Sequence, residues 1–367
     1  MTSPEPVPEG SPDDAGQGGS GGMMGWFRRS EEETRRASFF ERYGGVVLLV
    51  LMMVIFTITL PGKFLTYDNL IGIVGNQTIG GIVALGLLLP LAAGVFDISI
   101  GGVMTLGIVL VTWLFQTTGG DMPIPAAILI TLAAGVLAGV INGVLVVKAK
   151  VDPFIATIGT SSVFIGISQL IANGETIARD IPKAFTEIGR AEFFDVPVTT
   201  LYLIVLAILV WYMLDHTPFG RKVYATGAGR EAARLSGVPT NKIIFITFLI
   251  SATFATIAAV VYGARLGSGP PNTGASYLLP AYASAFLGST MIKPGRFNVP
   301  GLIVALFIVA VGINGLQLYG IPFWIVETYQ GLILIAAVVL AKVRTTQSTK
   351  RAKEKQQDAG SGNLAGA

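Results

Sequence analysis

Few polar side chains interrupt the long apolar runs of this chain, and their types limit the chemistry on offer. Asn76, Gln77, Asn142, Asn314 and Gln317 are amides within or at the ends of such runs. An amide both donates and accepts hydrogen bonds, which suits a hydroxyl-rich solute and equally suits a neighbouring helix. Asp97, in Gly94-Val-Phe-Asp-Ile-Ser-Ile-Gly-Gly102, is a carboxylate beside an apolar run. A charge there is costly, so it either caps the helix that follows or lines a path. A second constellation is basic. Arg221, Lys222, Arg230, Arg234 and Lys242 crowd the stretch Phe219–Pro239 and its edge. Inside it, Arg230–Ser236 can form about two turns of helix. Gly237 stands where a left-handed cap would be, and Pro239 prevents continuation. A short, charged, sharply ended helix in an otherwise oily chain is suited to being held by a soluble partner.

What is missing narrows the field further. There is no cysteine and a single histidine, His216. Thiolate chemistry, disulfides, histidine-based triads and Cys/His metal sites are thereby excluded. No Gly-x-x-x-x-Gly-Lys-Ser/Thr loop, His-Glu-x-x-His or Gly-x-Ser-x-Gly occurs. The chain is therefore read as no enzyme, without cofactor or metal, and unable to hydrolyse ATP by the phosphate-loop route. A formal charge of +3, with bases not interleaved by aromatics, gives no signal for nucleic acid.

The elements that must position these residues are membrane spans. Of 367 residues, 52% are hydrophobic and 13% charged, and mean hydropathy is +0.67. Soluble domains carry about 25% charge. Lipid is the matching solvent, and the fold class expected is an all-α integral membrane protein. Ten apolar segments are expected near 44–60, 76–96, 102–115, 124–147, 154–172, 198–214, 243–262, 277–291, 299–316 and 323–340. The third and eighth are short for a span, and runs of that length are also found as re-entrant or buried pieces. Residues 1–24 read as a disordered tail and 25–43 as an amphipathic helix at the lipid surface. The membrane-embedded body is 44–343, with its basic loop at 215–242, and 344–367 reads as a second disordered tail. The acidic and basic residues of 173–197 make a large external loop, either merely solvated or a dock for an external protein.

Charge placement supports the count. With both termini cytoplasmic and ten spans, all 25 Lys and Arg except Lys63, Arg179, Lys183, Arg190 and Arg265 fall on the inner side. This is the bias that the positive-inside rule expects of a multi-pass membrane protein. Dropping one short segment would put a basic loop outside. The same topology suggests an inverted repeat of segments 2–5 and 7–10. Ile141-Asn142-Gly143 precedes Pro153-Phe154, as Ile313-Asn314-Gly315 precedes Pro322-Phe323, at opposite faces. The alternative is chance recurrence in a chain with 46 Gly and 19 Pro.

Several motifs carry a resemblance. Glu231-Ala232-Ala233-x-x-x-Gly237 resembles the Glu-Ala-Ala loop of permease subunits of bacterial ABC importers. Phe96-Asp97-Ile98-Ser99-Ile100-Gly101 is similar to the Gly-Ile-Asp-Leu-Ser-Val-Gly signature of ribose-type permeases. Asn142-Gly143 with Pro153-Phe154-Ile155-Ala156-Thr157-Ile158-Gly159 matches their Asn-Gly and Pro-Phe-Ile-Ala-Thr-Leu-Gly pattern. The chain departs at Phe248-Leu249-Ile250, which lacks the Pro of longer importer loops, and at 285–296, which lacks a Gly-Gly pair. The resemblance spans roughly 70–343 and implies an ATP-driven importer of a monosaccharide. Its implied partners are a cytoplasmic ATPase with two nucleotide-binding domains, an external sugar-binding protein and a second permease, identical or homologous. Arg230, Glu231, Ala232, Ala233, Arg234 and Gly237 would couple to the ATPase. Asn76, Gln77, Asp97, Ser99, Asn142, Phe154, Thr157 and Asn314 are the candidate pathway. The rival solutes are a nucleoside or a branched-chain amino acid; no Arg is expected mid-span to hold a carboxylate, which favours a neutral solute. An ion-coupled secondary transporter is the rival mechanism, and it would call for acids deep in the spans.

Overall fold

The computed structural model describes residues 42–364, with side chains to residue 343. The expected tail 1–24 and nearly all of the expected surface helix 25–43 lie outside the described residues. The chain runs α1 (Arg42–Thr59), α2 (Tyr67–Ala92), α3 (Ser99–Thr117), α4 (Ile124–Val147), α5 (Pro153–Ala172) and α6 (Lys183–Arg190). A two-stranded hairpin, β1 (Glu192–Phe193) with β2 (Val196–Pro197), leads into α7 (Val198–His216), α8 (Pro218–Ala228) and α9 (Arg230–Leu235). Then follow α10 (Thr240–Leu266), α11 (Leu278–Ser289), α12 (Val299–Leu318) and α13 (Phe323–Leu364). Nine helices among the described residues are long and apolar enough to cross a membrane.

Helix starts follow local chemistry. Thr66, Asp152, Thr217 and Asn298 each accept a backbone N–H of the first turn of α2, α5, α8 and α12. Proline in the first turn of α4, α5, α8 and α12 costs no hydrogen bond there. Helix ends use the left-handed region at Asn173 and Gly267.

Burial separates the helices into two sets. The apolar windows of α2, α3 and α10 are two-thirds buried or more, whereas those of α1 and α13 are 6% buried. Greasy helices that leave their side chains uncovered are built for lipid or for another subunit, not for water. Small residues set the spacing inside. A Cβ on Gly139 of α4 would lie 2.9 Å from Leu249 Cα and Phe248 O of α10. A Cβ on Gly102 of α3 would lie 2.6 Å from Ser161 O of α5. Such contacts let backbones meet without large side chains between them.

Three expectations are corrected. α2 starts at Tyr67, well before residue 76, because Asn69, Asn76 and Gln77 sit within a continuous helix and not at its entrance. The eighth segment is not a regular span. Gly267-Ser-Gly-Pro-Pro cannot continue a helix, so residues 267–273 descend in irregular form along α3 into a 3₁₀ turn at Gly274–Tyr277, where Gly274 N–H donates to Thr105 Oγ1 at 3.0 Å. Only then does α11 begin; its 12 residues give about 18 Å, short of a bilayer core. Finally, α13 stays helical to Leu364, where a disordered tail was expected from 344. Its Ala, Lys, Glu and Gln are good helix formers and no Pro or capping Gly stops it at the end of the apolar stretch.

The loop 173–197 is folded onto the bundle. Phe185 of α6 is fully buried against Phe115, ring centroids 4.9 Å apart. Arg190 donates to the carbonyls of Arg265 and Leu266, both at 2.7 Å, satisfying the free end of α10.

Candidate functional site

The coupling candidate is α9, on the side made basic by the loop charges. Its six residues lie between Gly229, in extended backbone, and Gly237 at φ 82°. Val238 N–H donates to Ala233 O and Gly237 N–H to Arg234 O, both at 3.0 Å. This pair of bonds is a Schellman closure, and it needs the left-handed residue that glycine provides. Glu231 and Arg234 pair at 2.8 Å on the exposed surface, and Arg230 reaches Asn241 at 3.0 Å. Ala233 faces inward, Ala232 faces solvent, and Leu235 is 84% exposed. A capped turn with an uncovered leucine and charges on either side is a surface made to be gripped.

The pathway candidates divide into three groups. Asn76, Gln77 and Asn314 meet, with Gln317, in a cavity of about 430 Å³ between α2, α10 and α12. Asn69 and Asn314 exchange amide bonds at 3.1 and 2.9 Å across the cavity's edge. A second chamber of about 220 Å³ shares Asn76, Gln77, Tyr277 and Ile313 and reaches Ser276 and Gln330. Both chambers are at the outer ends of their helices by the charge-derived orientation.

Asp97, Ser99, Asn142 and Thr157 are elsewhere, in a buried knot. Asp97 Oδ1 accepts from Ser99 N–H at 3.0 Å and Ser99 Oγ at 2.5 Å. Ser99 Oγ accepts from Asn142 at 2.7 Å, and Asn142 Oδ1 accepts from Thr160 at 2.7 Å. Ile98 N–H donates to Thr157 and Asp97 N–H to Tyr282, each at 3.1 Å. The knot ties the 93–98 turn to α3, α4, α5 and α11. Asp97 Oδ2 and Ser251 Oγ of α10 are close neighbours, both buried without a hydrogen-bond partner. Asp97 thus serves the first turn of α3 and is 1% exposed, not a surface contact at a segment end. Phe154 joins neither group; it is 51% exposed on the outer flank of α5.

Sequence comparison bears on these groups. The profile described as the permease component of branched-chain amino acid transport systems matches residues 69–340, from α2 into α13. The chain belongs to this permease family. The ribose import permease RbsC of Bacillus subtilis (strain 168) is 30% identical over 293 residues, covering 80% of this chain and 90% of that protein. The autoinducer 2 import system permease LsrD of Salmonella typhimurium is 32% identical over 264 residues, covering 71% and 79%. RbsC of Escherichia coli K12 is 32% identical over 295 residues, covering 78% and 87%. The family resemblance drawn from the motifs therefore stands, and this permease is a multi-pass membrane protein. All three groups fall within the matched span.

Sequence reading of the permease missed Arg265. With segment seven ended near 262, this residue fell in a loop. In the structure α10 runs to Leu266, and Arg265 lines the outer cavity. It donates to Gly75 O at 2.8 Å and Asn76 Oδ1 at 2.6 Å, which turns the Asn76 amide so that its N–H₂ is free to donate. Arg265 stands in the last turn of α10, so the expectation of no Arg mid-span is not contradicted, although its guanidinium reaches the cavity. The signal available was Gly267, a left-handed helix stop five residues past the assumed end.

Proposed function

We propose that the chain is the membrane-embedded subunit of an ATP-driven importer of a monosaccharide in a bacterial plasma membrane. An external binding protein delivers the sugar, a cytoplasmic ATPase docks on α9, and a second permease, identical or homologous, completes the pore. The observation that carries this reading is α9 itself: exposed, charged, closed at its C-terminus by Gly237, and joined to an importer permease body. Ribose permeases among its relatives support a sugar, and the amide-rich outer cavity, with Asn76, Gln77, Asn314 and Gln317, has the donors and acceptors that hydroxyls need.

The test is reconstitution with the ATPase and binding protein expressed from the same source, using radiolabelled D-ribose first and a monosaccharide panel next. Uptake is expected to require ATP and to fall at least tenfold in Gly237→Asp and in Glu231→Arg, with coupled hydrolysis falling alongside. Uptake and hydrolysis unchanged in both variants would remove α9 from the coupling. Uptake that survives without ATP but collapses with the ion gradient would make the chain a secondary transporter.

Arg265 supports a second reading. Its guanidinium borders the cavity, and guanidinium forks bind carboxylates well. A branched-chain amino acid is therefore the rival solute. Competition by excess L-leucine against labelled ribose separates the two: leucine is expected to leave sugar uptake unaffected.

A further inference from the structure

α9 does not connect to the chambers directly. It is flanked in sequence by α8 and by α10, which it also reaches through the Arg230–Asn241 bond; α8 packs on α7 and α10 and meets the rest of the bundle at two further points. At one, α8 lies on the turn that follows α2: a Cβ on Gly94 would come within 3.2 Å of Gly227 Cα, so backbone meets backbone there. At the other, Tyr224 OH donates to Phe297 O at 2.6 Å. The Arg296 guanidinium sits 4.3 Å from the centroid of the same tyrosine ring. Beside it, Lys293 pairs with Asp215 at 2.6 Å, joining the end of α7 to the turn between α11 and α12. Burial, reinforced by the Asp215 carboxylate, pushes the Tyr224 phenol up to about 12, so it remains a donor at physiological pH.

What these two fastenings hold is a row of aromatic rings. Phe297 packs on Phe286 at 5.5 Å, Phe286 on Tyr282 at 6.3 Å, and both lie near Phe96, at 6.2 and 6.1 Å. Tyr282 also accepts from Asp97 N–H. The row follows α11 inward from Pro280 and Ala281, which line the second chamber. It lies on the inner side of the second chamber along α11, where Phe96, Tyr282 and Phe286 line an apolar groove with Leu334 and Val338. Its two ends, the 94–97 turn and the Phe297 turn, are both touched by α8, which packs on α7 and α10 as well.

We propose that Tyr224 is a positioning residue for transport: its hydroxyl ties the coupling segment α8–α9 to the Phe297 turn, so that displacement of α9 moves the Phe96–Tyr282–Phe286–Phe297 row and opens the chambers inward. The proposal rests on the reading of α9 as the seat of the ATPase. A helix packed against one end of a ring cluster and bonded to the other transmits displacement, and loss of the Tyr224 bond leaves α9 docked but its motion unread.

The test uses the full importer complex and a single cysteine, Ser276→Cys, in the second chamber of a chain with no native cysteine. Inside-out vesicles are treated with a charged maleimide, with and without trapped nucleotide. Cytoplasmic-side labelling is expected to change at least fivefold between the two states. Adding Tyr224→Phe, which removes the hydroxyl and keeps the ring, is expected to shrink that change to less than twofold while the ATPase still co-purifies. Asp215→Asn, which weakens the neighbouring ion pair, serves as the second variant and is expected to shrink the change in the same direction. A full-sized change in both variants overturns the proposal. No change in the parent Ser276→Cys complex would instead remove the reading of α9 and the chambers on which it stands. A merely structural tyrosine would lower yield and leave the labelling ratio intact.

Discussion

At the scale of single residues, Gly237 and Asp97 do opposite jobs with similar economy. Gly237 occupies a backbone region that costs a side-chain-bearing residue about 1–2 kcal/mol. Gly237→Val is expected to fray the last turn of α9 and to lower uptake and coupled hydrolysis together several-fold, with little change in the melting temperature of the bundle; paired uptake and ATPase assays check this. Asp97 holds Ser99 through one oxygen and leaves the other without a partner. Asp97→Asn keeps an acceptor for Ser99 and is expected to retain folding. Asp97→Ala strands the Ser99 N–H and hydroxyl in a dry interior, at about 1–3 kcal/mol, and should lower the melting temperature measured in detergent by several degrees. The motif Phe96–Gly101 drew attention to Asp97, but nothing in its spelling separated a path contact from a structural knot. That distinction depends on Asn142 and Thr160 arriving from two other helices. Arg265 was hidden for a simpler reason: a charged residue at the end of an apolar run looks like the start of a loop until the helix stop beyond it is placed.

At the scale of elements, apolar runs of ordinary length were readable because each is a nearly unbroken stretch with its own cap. The short ones were not. α3 gained residues at both ends over its expected 102–115 and reaches full span length. α11 stayed short because Gly267, Gly269, Pro270 and Pro271 leave its outer half without α-helix, apart from the 3₁₀ turn at Gly274–Tyr277. The contact between α3 and α5 illustrates what only packing reveals. Gly102 is one of 46 glycines, yet a Cβ there would meet the Ser161 backbone. Gly102→Val is expected to force the two helices apart, at about 1–3 kcal/mol or more, and to cut the yield of folded protein. Gly159, on the open flank of α5 with nothing near it, is the control: Gly159→Ala should leave yield unchanged in the same measurement.

At the scale of the whole molecule, the lysines and arginines placed the faces of the bundle before any helix was packed, since retention of basic loops inside is a property of insertion and not of folding. The polar groups follow those faces: Asn314 opens on a cavity at the outer end, while Asn142 is locked in a knot nearer the inner end. If segments 2–5 and 7–10 are an inverted pair, these asparagines occupy matching places in opposite states, one open and one shut. Single cysteines at Ser236 and at Glu192 check the orientation. In intact cells an impermeant maleimide is expected to reach Glu192→Cys and not Ser236→Cys, with both labelled after lysis.

α9 has six residues, far fewer than a helix needs to persist alone in water. Its shape is therefore borrowed from α8, from the glycine that ends it and from the wall behind Ala233. A synthetic peptide copying residues 217–240 would be a random coil, and as an inhibitor of ATPase docking it should fail unless its ends are stapled.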